Sequence, residues 1–269
     1  FAVMYKSFGR PIFVFLLLVM ILLATTELGT DSWVTDLLTP ILKGNGYWVL
    51  IYTSAIMFVL RIFSAGPLVR KLTPVGLLCV CAVLAAGGLL LLANAGAAAG
   101  MIFLAATFYG VGKTFFWPTT LGLVSEQFPK GGALTINAMG GMGMIAVGVF
   151  GAPFLGALQD QKLDQALSAG MPAIHAQIVE APQNFPTIRG LDTGFTTVGP
   201  YRPLDKARID ALPPAEKAQV DTVVAENKQK TLARFAVLPM LMALCYGALF
   251  LYFRRRGGYH AVELGTGGH

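Results

Sequence analysis

The sequence predicts an all-α membrane protein, six transmembrane helices with a partly helical external insertion, on three observations. Its composition is 55% hydrophobic against 13% charged, with a mean hydropathy of +0.64, too apolar and too charge-poor for a soluble domain of this length. Six apolar runs, residues 11–30, 48–66, 75–93, 99–123, 133–158 and 233–253, are long enough to cross a hydrocarbon core of about 30 Å, which takes roughly 20 residues at helical rise. Strand alternation is absent from them, which argues against a barrel.

The net charge of +6 is a topology signal and does not imply a nucleic-acid partner. Threading six spans alternately puts Lys6, Arg10, Arg70, Lys71, Lys130, Arg254, Arg255 and Arg256 on one side, while the short loops of the other side carry only Lys43. By the positive-inside rule the basic side is cytoplasmic, so both ends are expected inside. The chain starts at Phe1 with no initiator methionine and no cleavable signal pattern, and is expected to be a fragment.

The first span starts at Pro11, a favoured first helical residue, and turns polar at Thr25, Thr26, Glu27, Gly29, Thr30 and Asp31. Glu27 lies about 24 Å along the span at helical rise. It reads either as a solvated helix end or as a carboxylate facing a water-filled cavity and able to carry a proton. Tyr47 and Trp48 open the second span as interfacial anchors. Arg61, near its far end, reads as a snorkelling side chain or a substrate contact. The third span is apolar all round and is expected to be peripheral and lipid-facing.

Residues 99–126 hold the most informative stretch, FYGVGKTFFWPTTLG. Lys113 stands there among apolar and small residues, and a cation at mid-bilayer depth is a functional hypothesis by default. Tyr109, Phe116, Trp117 and Thr120 lie three, four or seven positions away and are expected on its face. Ala106, Gly110, Thr114, Pro118 and Gly122 form a small-residue stripe suited to close helix approach. In the glycine-rich fifth span Asn137 is the one strongly polar interior residue, serving packing or ligand contact, and Pro153 invites a kink.

Residues 159–232 change character, with eight Lys or Arg, nine Asp or Glu and seven prolines. They read as an extracytoplasmic insertion with short helices at 160–169 and 214–230. The last span follows, with Pro239 as a kink, and a glycine-rich cytoplasmic tail, 254–269, is expected to be disordered. The domain reading is therefore 1–158, five spans; 159–232, insertion; 233–253, last span; and 254–269, tail.

Phosphate loop, Gly-x-Ser-x-Gly elbow, His-Glu-x-x-His and Cys-x-x-Cys are all missing, and Cys79 and Cys81 point to different helix faces. No catalytic residue, cofactor or metal site is expected, and the chain does not read as an enzyme.

The six spans, the loop GPLVRKLTP with Gly66, Arg70 and Lys71, and YGVGKTFFWPTTLG followed by SEQFPKGGAL together resemble the carboxy-terminal half of a major facilitator superfamily transporter. Similar stretches occur in bacterial members that move sugars or other organic solutes. The resemblance implies helices seven to twelve of twelve, arranged as two inverted three-helix repeats, with the first helix of each beside the transport path. It also implies a bacterial inner-membrane protein, a missing amino-terminal half as partner, and a small polar solute carried with protons. On that reading Lys113, Trp117, Tyr109, Asn137 and Trp33 bind solute and Glu27 couples protons. The other reading is a membrane-anchored extracytoplasmic binding or receptor module.

Overall fold

The computed structural model describes residues 7–39, 41–183 and 200–262. Lys6, residues 184–199 of the insertion and residues 263–269 of the tail lie outside the described residues. In chain order the helices are α1 (Pro11–Ala24), α2 (Thr30–Leu38), α3 (Tyr47–Phe63), α4 (Ala65–Leu72), α5 (Pro74–Asn94), α6 (Ala99–Lys113), α7 (Phe116–Gln127), α8 (Gly132–Ile145), α9 (Ala152–Gly170), α10 (Pro172–Ile178), α11 (Lys206–Asp210), α12 (Pro214–Phe235) and α13 (Val237–Arg255). A π turn, Thr25–Gly29, joins α1 to α2, and another, Ala146–Gly151, joins α8 to α9.

Among the described residues, five helical stretches are long and apolar enough to cross a membrane: Pro11–Gly29, Pro74–Asn94, Ala99–Gln127, Pro129–Gly170 and Pro214–Arg255. The second expected span, α3, has 17 residues and is shorter. The outward faces are apolar: Leu244 is 70%, Phe58 68%, Val83 62% and Met144 60% exposed. A surface of that kind is an aggregation liability in water and is solvated by lipid. An all-α membrane protein is thus compatible with both the sequence and the structure.

The third expected span, α5, is a packing hub, contrary to the lipid-facing role its uniform apolarity suggests. It packs on α6, α12 and α13, burying Leu78, Cys81, Ala82, Ala85, Leu89 and Leu92. Glycine explains the difference. A Cβ on Gly112 would lie 2.4 Å from the backbone nitrogen of Ala85, and one on Gly88 would lie 2.3 Å from that of Tyr109. The α5 and α6 backbones touch where any side chain would hold them apart.

Proline sets two helix breaks. Pro239 has no N–H to give the Phe235 carbonyl, and the chain breaks at Ala236 between α12 and α13. Pro118 does the same between α6 and α7, so the expected continuous span 99–123 is two helices. The small-residue stripe does not survive that break: Gly110 packs on Thr53, while nothing approaches Gly122.

Beyond the spans, α9 runs unbroken past Leu158 to Gly170, and α12 leads into α13. Leu167, Ile178 and Val220 form a separate small core there with Ile174, Leu204 and Val223 around them. His175 pairs with Asp164 at 2.7 Å. This unit is tied to the bundle: Lys228 pairs with Asp36 at 2.8 Å, and Gln229 donates to the Leu92 and Gly96 carbonyls at 3.1 Å.

The described part of the tail is docked, contrary to the expected disorder. Val262 N donates to the Glu126 carbonyl, Gln127 donates to the His260 carbonyl, and Tyr259 donates to Glu126 Oε2 at 2.5 Å. Burial first, and that carboxylate second, push the Tyr259 phenol above its ordinary range. The Val262 bond satisfies a carbonyl that the end of α7 would otherwise leave open, and the other two anchor side chains of the same turn.

Replacing Gly112 by alanine is expected to lower stability by about 1–3 kcal/mol, because its neighbour is backbone and cannot rotate away. Gly87→Ala, into open space, is expected to be neutral or to stabilise by up to about 1 kcal/mol through helix propensity. Thermal unfolding of the two variants in detergent reads the difference.

Candidate functional site

The site begins with Pro118. A helix continuing through it would lack the bond from residue 118 to the Thr114 carbonyl, and the ladder opens at Thr114 and Phe115. Two charged side chains from other helices occupy the opening. Arg61 of α3 donates Nε–H to the Thr114 carbonyl at 2.8 Å, and Glu27 accepts the Trp117 N–H at 3.2 Å. The two are themselves paired, Arg61 to Glu27 Oε1, at 3.0 Å. Each charge also suits its helix end: a cation at the C-terminus of α6, an anion at the N-terminus of α7.

One turn away is a second pair. The Lys113 side chain is fully buried, and Nζ lies 2.5 Å from both Asp31 oxygens. Thr53 of α3 accepts a further hydrogen bond from Nζ at 3.3 Å. Tyr109 donates to Asp31 Oδ1 and to the Thr26 carbonyl, each at 3.1 Å, and its ring lies 5.1 Å from Nζ. The ammonium's three protons are thus accounted for. Asp31 remains 20% exposed, so this carboxylate is the part of the pair that a molecule outside can reach.

The π turn brings these groups together. Glu27 lies within it and Asp31 one turn beyond, and spacing by four puts both acids on one side of the helix. The turn leaves the regular ladder, with the Thr30 N–H bonded to the Thr25 carbonyl. Such inserts are frequent at functional positions. The four charges link α1–α2, α3 and the α6–α7 break into one network.

Several expected roles shift. Glu27 is buried as the cavity reading requires, but its cation is Arg61; the counter-ion of Lys113 is Asp31, which the sequence presents as part of a polar helix end. Arg61, partly exposed, turns its guanidinium to the proline break. Tyr109 lies beside Lys113 as expected. Trp117 does not, because the break turns its ring toward Gly143 and Met20, where a Cβ on Gly143 would meet the ring at 2.7 Å. Thr120 likewise bonds the Tyr246 hydroxyl of α13, 3.3 Å away. Trp33 packs on Gly156 of α9, and Asn137 is exposed on α8; neither joins the network among the described residues. Asp31 and Thr53 are the members that sequence reasoning missed, and Arg61 is one it singled out without its partners. The signals that could have found them are the two acids spaced by four and the unpaired carbonyl that any mid-span proline creates.

The fold and site define an all-α protein with apolar helices of membrane-crossing length and a buried charge network at a helix break. Compared with protein-family models, with curated proteins and with solved structures, the chain matches none of them.

Asp31→Ala leaves an ammonium buried without its partner and is expected to cost about 3–5 kcal/mol, most of which Lys113→Met in the same chain restores. Thermal unfolding of the single and double variants checks it. In Pro118→Ala, residue 118 regains an N–H for the Thr114 carbonyl. Arg61→Ala is therefore expected to cost about 1 kcal/mol less in that background than in the parent, the net worth of one hydrogen bond. Equal costs in the two backgrounds would show that Arg61 does not fill the break.

Proposed function

We propose that the chain is half of a secondary active transporter that moves a small polar organic solute, a sugar or an organic anion, by alternating access with proton coupling. The observation that carries the reading is the fully buried Lys113 ammonium held by Asp31, since charges inside a span mark solute or ion paths. On this reading the spans form two inverted three-helix repeats, and Asp31 and Lys113 come from the first helix of each.

The solute meets Asp31 first. A hydroxyl group donates to that carboxylate, or a carboxylate competes with it for Lys113, while Thr53 and Tyr109 offer further polar contacts. Glu27 is the proton carrier: protonation removes its charge, releases Arg61 and weakens its hold on the Trp117 N–H, and the α6–α7 break is then free to reorganise. The apolar faces of α3 and α8, with Asn137 on the latter, are where the amino-terminal half packs. No catalytic step is assigned to any residue.

The small core of the external unit favours a second reading, a binding module on a membrane anchor. Replacing 159–232 by a short linker separates the two, because a transporter keeps flux and an anchored module loses its function.

In proteoliposomes holding the full gene product, Lys113→Ala is expected to reduce uptake of labelled hexoses and small organic acids to background; normal uptake would remove the assignment. An imposed pH gradient is expected to drive uptake in the parent and to have no effect in Glu27→Gln. Parent uptake that ignores the gradient would defeat proton coupling alone.

A further inference from the structure

A cavity of about 640 Å³ lies between α1, α9 and α13; it touches the π turn at Thr25 but is lined by none of the four charges of the network. Its wall is built from Ile21 and Leu22 of α1, Phe154 and Leu158 of α9, and Leu238 and Leu241 of α13. The volume falls within the range of about 300–1,000 Å³ in which proteins hold organic ligands. Among the described residues its polar lining is confined to Thr25, in the π turn, and Arg234. The two differ in kind, since the first is a neutral hydroxyl that a helix can satisfy from its own backbone and the second is a cation.

Arg234 is the last charged residue before the apolar run of α13, so it stands where that helix leaves the hydrocarbon. It is exposed and makes no ion pair among the described residues. Lys162 of α9 lies within its electrostatic reach, which makes this rim basic. An apolar slot running along three helices, with a guanidinium at the end where the helices meet the polar boundary, matches one kind of molecule: an acyl chain joined to an anionic head.

We propose that this cavity is a binding site for an anionic glycerophospholipid of the leaflet on the insertion side, one acyl chain lying between α1, α9 and α13 and the phosphate on Arg234. The apolar walls recognise the chain, and Arg234, a planar donor fork suited to phosphate, selects the head. The site does not depend on which solute the network carries, or on whether it carries one.

Native mass spectrometry of the full-length detergent-solubilised protein, titrated with palmitoyl-oleoyl phosphatidylglycerol and with the matching phosphatidylcholine, tests the proposal. Both lipids offer a phosphate to Arg234, but only phosphatidylcholine brings a quaternary ammonium up against the basic rim, so the phosphatidylglycerol adduct is expected at about tenfold lower lipid concentration. Arg234→Gln, at an exposed position, is expected to bring the two lipids to parity. Leu238→Trp, which fills the slot, is expected to lose both adducts; Leu238→Ala, which widens it, is expected to keep them. Equal binding of the two lipids by the parent overturns the proposal, as does a preference that persists in Arg234→Gln. Inorganic phosphate is expected not to compete, and competition at millimolar phosphate would identify a phosphate site with no lipid chain.

Discussion

One missing hydrogen organises the centre of this protein. Pro118 cannot donate to the Thr114 carbonyl, so a polar group lies open in an apolar bundle, where leaving it unsatisfied is costly. Arg61 reaches it from α3 and, although its side chain is partly exposed, its guanidinium pairs with a buried carboxylate, Glu27, which reaches in from the π turn while also taking the Trp117 N–H. A local defect in one helix has thereby fixed the positions of two others. The geometry is self-limiting: removing any one participant strands the remaining ones.

The Lys113–Asp31 pair follows from the same arrangement. Lys113 is the last residue of α6, and the break that Arg61 and Glu27 complete keeps its side chain directed at the face of α1–α2. Asp31 stands four residues after Glu27, so an acid that meets the break carries a second acid to the lysine. Two neutral pairs placed side by side are far less costly in a low-dielectric interior than four separate charges. They also form a network in which altering one charge is felt by the other three.

Much of this was legible in the sequence, and the failures have physical causes. The helical runs and Lys113 were visible because apolar length and an isolated cation are local properties. Tyr109 was recovered because it lies one regular turn before Lys113, whereas Trp117 and Thr120 lie beyond the break, where spacing in residues no longer gives a direction. Asp31 was hidden in a polar stretch that reads as a helix end, and only the π turn brings it under the lysine. Arg61 resembled any long cation near a span terminus, since its true partner, a backbone carbonyl, leaves no mark in the residue alphabet. The inward position of α5 depended on Gly88 meeting Tyr109 and Gly112 meeting Ala85, contacts between distant parts of the chain that composition does not reveal. Asn137 and Trp33 have the chemistry of ligand contacts, but the first looks outward and the second lies on Gly156.

The contact between α5 and α6 restricts how the bundle can deform. With Gly112 against Ala85 and Gly88 against Tyr109, these helices meet backbone to backbone at two points, where they cannot slide past one another without a clash, so the pair forms a single plank. The external helix α12 is fastened to the same plank through the Leu92 and Gly96 carbonyls and to α2 through Asp36. Any large rearrangement is therefore most easily absorbed by segments whose ladders are already irregular: the π turns Thr25–Gly29 and Ala146–Gly151 and the proline breaks at Thr114–Phe115 and Ala236. Irregular backbone of this kind gives the bundle its joints, between helices whose ladders are intact.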